Sequence, residues 1–228
     1  NDNPSPETLN ELREKGVKIS LDQDQASLPD ADQYIYSDAW LTMNPALIEA
    51  AKNKGVPVLS YAQALGQVVN KYYLIAVAGT HGKTTTTAML IDIFEDAAID
   101  PTAIVGSLHN KTKSNFRAGR GEHFIVEADE YQRHFLNLAP RVLAITNIEA
   151  DHLDYYRDLA DIQDAFRELV SKIPKDGFLV CNPSDPKVKP VLESAKCRTV
   201  DYSKVGADFR LKTPGQYNIE NAKTAFAV

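Results

Sequence analysis

Two glycines three residues apart, placed where an apolar strand gives way to a helix, narrow the folds open to this chain more than any other feature. Residues 72–78 read as a strand, and Gly79-Thr80-His81-Gly82-Lys83-Thr84-Thr85 follows. Ala88, Met89, Leu90, Ile91 and Phe94 then continue with helical spacing. Glycines let the backbone turn close to a phosphate, successive N–H groups and the helix N-terminus supply positive potential, and a lysine and a hydroxyl complete the site. Lys83 is the candidate contact for β/γ-phosphates and Thr84 the candidate Mg²⁺ ligand. Gly79, Thr80, His81, Gly82 and Thr85 form the rest of the cradle. The general pattern G-x-x-x-x-G-K-[ST] would place glycine at position 77, which is Val77 here, so the loop is shorter than that pattern. The plain alternative, an exposed lysine on an ordinary glycine-rich turn, does not account for the flanking strand and helix.

The same alternation runs through the whole chain. Strands are expected at residues 17–20, 33–37 and 56–59, with helices at 5–15 and 45–54, the second opened by Asn44-Pro45 and closed by Gly55 as C′ residue. A second series of strands is expected at 72–78, 102–105, 123–127, 142–147 and 177–181. Helices are expected between them at 83–97, 158–173 and 185–195. Several of these strands are continuously apolar, as strands covered on both faces should be. The expected class is α/β, a phosphate-loop domain with a mostly parallel sheet over 67–228, preceded over 1–66 by part of a Rossmann-like domain. The boundary is expected within 63–72.

At 228 residues and 43% hydrophobic content the chain is long enough to bury a large core. Its net charge of −6 excludes a broad basic footprint, so nucleic acid and anionic membrane are not expected partners. No apolar run is long enough to span a membrane and no leader is visible, which leaves the cytoplasm as the expectation. Cys181 and Cys197 are too few for a disulfide framework and are expected as buried thiols. The chain starts at Asn1 and stops within a helical run, so it is expected to be a piece of something longer.

Two acidic stretches follow neighbouring strands. Glu127-Ala128-Asp129-Glu130 leaves strand 123–127, and Asn147-Ile148-Glu149-Ala150-Asp151-His152-Leu153-Asp154-Tyr155-Tyr156 leaves strand 142–147. Open α/β sheets gather their chemistry at this edge. Glu127 is a candidate oxygen ligand for the Mg²⁺ that bridges ATP phosphates. Taken alone, a strand-end carboxylate is more often solvated and His152 is more often an ordinary core histidine.

The loop G-T-H-G-K-T-T-T, with E-A-D-E and T-N-I-E-A-D-H-L-D-Y-Y in that order, resembles the Mur ligase family, to which folylpolyglutamate synthetase is related. The histidine at the loop's third position is similar to the L-alanine-adding branch. The resemblance implies a cytoplasmic, ATP- and Mg²⁺-dependent ligase of peptidoglycan precursor synthesis acting on UDP-N-acetylmuramic acid and L-alanine. It also implies Glu127 as ligand of a first metal, His152 as ligand of a second, and Asn147 and Asp151 as supporting groups, with Lys83, Glu127 and His152 in the catalytic set. Other members carry a carbamylated lysine beyond the histidine; here Asp164-Ala165-Phe166-Arg167-Glu168 contains none, as in the L-alanine-adding branch. Thr213-Pro214-Gly215-Gln216-Tyr217-Asn218-Ile219-Glu220-Asn221-Ala222 resembles the family's adenine segment and implies Asn218 and Asn221 as base contacts, with Tyr217 in place of the usual histidine. Asn218 as a helix N-cap is the alternative. Residues 37–45 and 55–59 resemble the tail of the family's UDP-binding domain, where Ser37 and Asp38 either line the sugar-nucleotide cleft or form a turn. Because the C-terminal domain that holds the amino acid is missing from the pattern, the chain by itself is expected not to turn over. Other functions left open are a recycled-tripeptide ligase, folylpolyglutamate synthetase, and a non-catalytic nucleotide-binding module.

Overall fold

In the computed structural model the chain divides into two compact units, Asn1–Tyr61 and Ala62–Val228. The described residues are 6–20, 24, 28–108, 111, 114–206, 208–211 and 214–228. Ser5, at the expected start of the first helix, and Thr213, at the start of the adenine-like segment, lie outside them.

The first unit contains α1 (Pro6–Glu14), β1 (Tyr34–Tyr36), α2 (Trp40–Met43), α3 (Pro45–Lys52) and β2 (Val58–Ser60), with β1 and β2 paired in parallel. Asn44 caps α3: its side-chain oxygen accepts the Leu47 N–H at 3.2 Å, and Pro45 fills the first position, where no N–H is needed. The helix ends at Lys52 with Asn53 as C-cap, so Gly55, at φ +73, takes left-handed backbone one position beyond the expected C′ place. Residues 17–20, expected as a strand, have no regular structure. Among the described residues this sheet has two strands, and a third forms only where a neighbour accepts its backbone hydrogen bonds.

The second unit begins in α4 (Tyr61–Val69), whose first residue closes the first unit. It then runs β3 (Tyr73–Ala78), α5 (Lys83–Asp96), β4 (Thr102–Ile104), β5 (Phe116–Arg117), β6 (His123–Glu127), β7 (Val142–Ile145), α6 (Leu159–Ser171), β8 (Phe178–Cys181), β9 (Arg198–Asp201) and α7 (Gln216–Ala227). The sheet order is β5-β4-β6-β3-β7-β8-β9. Every pairing is parallel except that of β5 with β4. Alternation along β3 sends Leu74, Ala76 and Ala78 to one face, where they join Phe166 and Leu169 of α6. Ile75 and Val77 go to the other, with Leu90 and Ile91 of α5 and Ala225 of α7. Helices on both faces explain why β3 is apolar at every position, with nothing from Leu74 to Ala78 more than 2% exposed.

The chain fills one side of β3 with β6 and β4, then crosses to the other with β7 and β8. Because β3, β6 and β7 are parallel, with Val77 beside Glu127 and Ala78 beside Ile145, their carboxyl ends meet at a topological switch point. The strands and helices expected around this point are present with ends shifted by a residue or two; β7, for example, stops at Ile145. Residues 185–195 differ. Instead of an α-helix they hold a 3₁₀ segment, Lys189–Ser194, with Pro190 at its start, and proline's missing N–H and fixed ring oppose a continuous α-helix through that point. The short elements α2, α4, β5 and β9 lie beyond the expected set.

Cys181 on β8 is fully buried, and burial pushes its thiol up to about 12. Cys197 is half-buried and also raised, mainly by burial. Since the thiolate is the reactive form, a thiol reagent should modify Cys197 first in the folded chain and reach Cys181 only as the protein unfolds. Labelling followed by mass spectrometry checks this; prompt, equal modification of both would place β8 outside the core.

Candidate nucleotide and metal site

The loop between β3 and α5 is held from below by the end of β7. The Thr80 N–H donates to the Asn147 carbonyl at 3.1 Å, the His81 N–H donates to Asn147 Oδ1 at 3.0 Å, and Thr146 Oγ1 donates to the His81 carbonyl at 2.6 Å. This approach is possible because Gly79, at φ +135, has no Cβ; one built there would lie 2.1 Å from Thr146 Oγ1. Gly82, at φ +83, stands at the N-cap of α5, and a Cβ on it would lie 2.2 Å from Asn221 Oδ1. As N-cap, Gly82 offers no side chain to the first turn of α5, so the N–H groups there form a cradle suited to an anion.

Lys83 turns its ammonium back over this loop. Its Nζ donates to the Gly79 carbonyl at 2.6 Å, the Thr80 carbonyl at 3.2 Å and Glu130 Oε1 at 2.8 Å. Thr84 Oγ1 donates to Glu127 Oε1 at 2.9 Å, and the Gly106 N–H donates to Glu127 Oε2 at 2.6 Å. Thr84 and Glu127 therefore present a hydroxyl and a carboxylate side by side, a hard-oxygen pair that fits Mg²⁺. Thr85 lies in the first turn of α5.

His152 is not part of that pair. Its Nε2 lies 3.7 Å from Glu130 Oε1, its ring is tilted against Tyr131 with centroids 4.9 Å apart, and its backbone sits at φ +52. The Asp151 carboxylate accepts the His152 N–H at 2.7 Å, while Tyr131 OH donates to Asp154 Oδ2 at 2.9 Å. Glu127 and His152 thus belong to two adjacent networks, and among the described residues no three His, Cys, Asp or Glu side chains converge as a ready-made metal cage.

Glu130 stands between Lys83 and His152, a place that the sequence motif does not reveal. Only 3% of it is exposed; burial raises its carboxyl above the usual range, opposed by the Lys83 charge and hydrogen bond. For Asp129, burial acts upward too, but hydrogen bonds from His134 and the Tyr131 N–H prevail and hold the carboxyl below its ordinary value. Spacing along E-A-D-E does not reveal which carboxylate turns inward. That depends on the Tyr131–Asn137 3₁₀ segment, where Gln132 and Arg133 adopt left-handed backbone.

His81, Gly82, Thr146, Asn147, Tyr217, Glu220, Asn221 and Thr224 line an open cleft of about 340 Å³ beside the loop. Asn221 is buried against Gly82, and Tyr217 is 82% exposed. Asn218 is the third residue of α7, whose N-cap is Gly215. Its amide donates to the Pro214 carbonyl at 3.3 Å, so it is neither the N-cap nor among the lining residues.

Sequence comparison matches residues 77–209 to the Mur ligase middle domain and residues 3–73 to the Mur ligase family, catalytic domain. The UDP-N-acetylmuramate–L-alanine ligase of Clostridium perfringens (strain 13 / Type A) is 41% identical over 92% of this chain and 46% of its own length. That of Clostridium botulinum (strain Kyoto / Type A2) is 42% identical over 88% of this chain and 43% of its own. The chain spans about half the length of these curated relatives. Among solved structures, the UDP-N-acetylmuramate:L-alanyl-gamma-D-glutamyl-meso-diaminopimelate ligase from Neisseria meningitides superposes with a TM-score of 0.86 at 26% identity, over 98% of this chain and 82% of that one. The UDP-N-acetylmuramate-alanine ligase of Thermotoga maritima shares the fold with a TM-score of 0.79 at 24% identity, over 97% and 56%.

The contact between Gly79 and Thr146 is open to direct test. Gly79→Ala should lower unfolding stability by about 1–3 kcal/mol through overpacking and backbone strain, read from urea denaturation. An unchanged midpoint would mean that the loop does not rest on the end of β7.

Proposed function

Since the chain belongs to the Mur ligase family, we propose that it carries the ATP- and Mg²⁺-binding part of a cytoplasmic ligase that joins L-alanine to UDP-N-acetylmuramic acid during peptidoglycan precursor synthesis. The observation that carries this reading is the β3–loop–α5 unit, with Lys83 and Thr84 at the helix start and Glu127 against Thr84. The L-alanine specificity draws on the names of relatives that are 41% and 42% identical.

Bound Mg-ATP supplies the phosphoryl group that converts the lactyl carboxylate into an acyl phosphate open to attack by an amine. The protein's part is electrostatic. Loop amides from Gly79 to Thr85 receive the phosphates, and Lys83 adds a mobile positive charge where phosphoryl charge develops. Thr84 and Glu127 would hold one divalent cation, which would supply positive charge beside the phosphates, and His152 would serve a second. The cleft beside Gly82 takes the base, with Asn221 supplying an amide and Tyr217 an aromatic face. None of these roles requires a covalent nucleophile from the protein.

A second reading, ligation of a preformed peptide to the same sugar nucleotide, draws on the TM-score of 0.86 to the Neisseria enzyme. Identity of 41–42% to the L-alanine ligases against 26% to that enzyme favours L-alanine. Amide formation by the full-length protein, with L-alanine and tripeptide offered in competition, separates the two.

Lys83→Ala should weaken Mg-ATP binding by about 1.5–3 kcal/mol, the scale of a charge-assisted hydrogen bond, measured by calorimetric titration. Removing the ammonium also strands Glu130, so the double variant Lys83→Ala/Glu130→Gln is titrated alongside. Wild-type affinity in both variants would refute the loop assignment.

A further inference from the structure

Glu130 is the best-buried carboxylate at the site, and it faces two groups. Its side chain is 4% exposed; Oε1 lies 2.8 Å from Lys83 Nζ and 3.7 Å from His152 Nε2. The second oxygen, Oε2, is buried without a hydrogen-bond partner among the described residues. Its backbone is fixed from behind, because Tyr156 OH donates to the Glu130 carbonyl at 2.5 Å. Lys83, for its part, is tied to Glu130 and to two loop carbonyls rather than free to reach outward.

A buried carboxylate stays ionised at little cost only while a nearby positive charge or hydrogen bonds compensate it. Any phosphate in the cradle draws the Lys83 ammonium off, leaving Glu130 with its charge, one freed oxygen and one oxygen that had no partner to begin with. Of the groups facing it, His152 is the one that can recruit a replacement, since a neutral imidazole nitrogen and a carboxylate oxygen together bind a divalent cation. The tilt against Tyr131 and the Tyr131–Asp154 hydrogen bond hold the imidazole in place.

We propose that Glu130 is an exchanging ligand: it holds Lys83 before nucleotide binds, and shares a divalent cation with His152 once the phosphates have taken Lys83. This rests on the nucleotide-binding reading above and adds to it a residue with two successive partners. It makes the cation part of the release of Lys83. In this arrangement metal and nucleotide bind cooperatively because each removes the other's competitor.

The test uses the full chain, Mn²⁺ and the β,γ-imido analogue of ATP. Calorimetric titrations are run with Mn²⁺ and with a chelator on wild type, Glu130→Gln, His152→Ala and the double variant. With chelator, Glu130→Gln should bind the analogue several-fold more tightly than wild type, because Lys83 is no longer held. With Mn²⁺ that advantage should vanish, and the Mn²⁺ concentration for half-maximal binding should rise about tenfold or more. The double variant should need no more Mn²⁺ than His152→Ala alone. A Glu130→Gln variant weakened equally with and without Mn²⁺, or unchanged in Mn²⁺ dependence, would overturn the proposal and leave Glu130 a structural residue. A second readout needs no variant: Mn²⁺ with the analogue should broaden the His152 ring resonances beyond detection, and unbroadened signals at saturating nucleotide would also overturn it. Wild type failing to bind the analogue in Mn²⁺ is a different result, which removes the nucleotide reading itself and this proposal with it.

Discussion

A parallel sheet delivers the carboxyl ends of its strands to one edge, and in this molecule three adjacent ends position the phosphate loop and its candidate cation ligand. β3 ends in the glycine turn, β6 in Glu127, and β7 in the segment that supplies Thr146 and Asn147. None of these groups is near another in sequence; hydrogen-bond register alone makes them neighbours. Burial of β3 between two helical layers fixes that register, because a slip by one residue would turn Leu74, Ala76 and Ala78 toward the α5 side and Ile75 and Val77 toward α6.

What the edge must then solve is charge. Glu127 is satisfied by a hydroxyl and a backbone amide, groups that a cation can displace at little cost. Glu130 is instead balanced by the ammonium of Lys83 inside the protein, so moving Lys83 leaves a debt of charge that something else must cancel. Three of the five non-glycine residues with positive φ among the described residues, Gln132, Arg133 and His152, belong to the segments around Glu130, and Ala98 and Asp100 follow α5; surrounding contacts hold such backbone in place. Rigidity below the loop and exchangeable charge above it are the two properties expected of a site that grips phosphate and then releases it.

Much of this was legible in the sequence, and what was not has a physical cause. The strand–glycine–helix pattern identified the loop because glycine geometry and apolar periodicity are local properties. Continuous apolar runs likewise marked β3, β6, β7 and β8 as strands covered on both faces. Non-local properties were hidden. Nothing in the spacing of E-A-D-E distinguishes Glu127, held at the loop, from Glu130, drawn into the interior. Residues 17–20 look like a strand, but strand formation requires a partner. Lys189–Ser194 was expected within an α-helix until Pro190 is given its steric weight. Asn218 and Asn221 look equivalent in the motif, yet only Asn221 lines the cleft beside Gly82.

In the function proposed above, the edge formed by β3, β6 and β7 holds a nucleotide's phosphates with a cation between Thr84 and Glu127. The most direct measurement is a crystal structure of the chain with Mn²⁺ and a non-hydrolysable ATP analogue, using anomalous scattering to locate the metal. Phosphate density is expected against the Gly79–Thr85 amides, with a Mn²⁺ peak bonded to Thr84 and Glu127 and Lys83 turned toward the phosphates. Nucleotide bound elsewhere, or phosphates in the loop with no metal at Thr84 and Glu127, would contradict it.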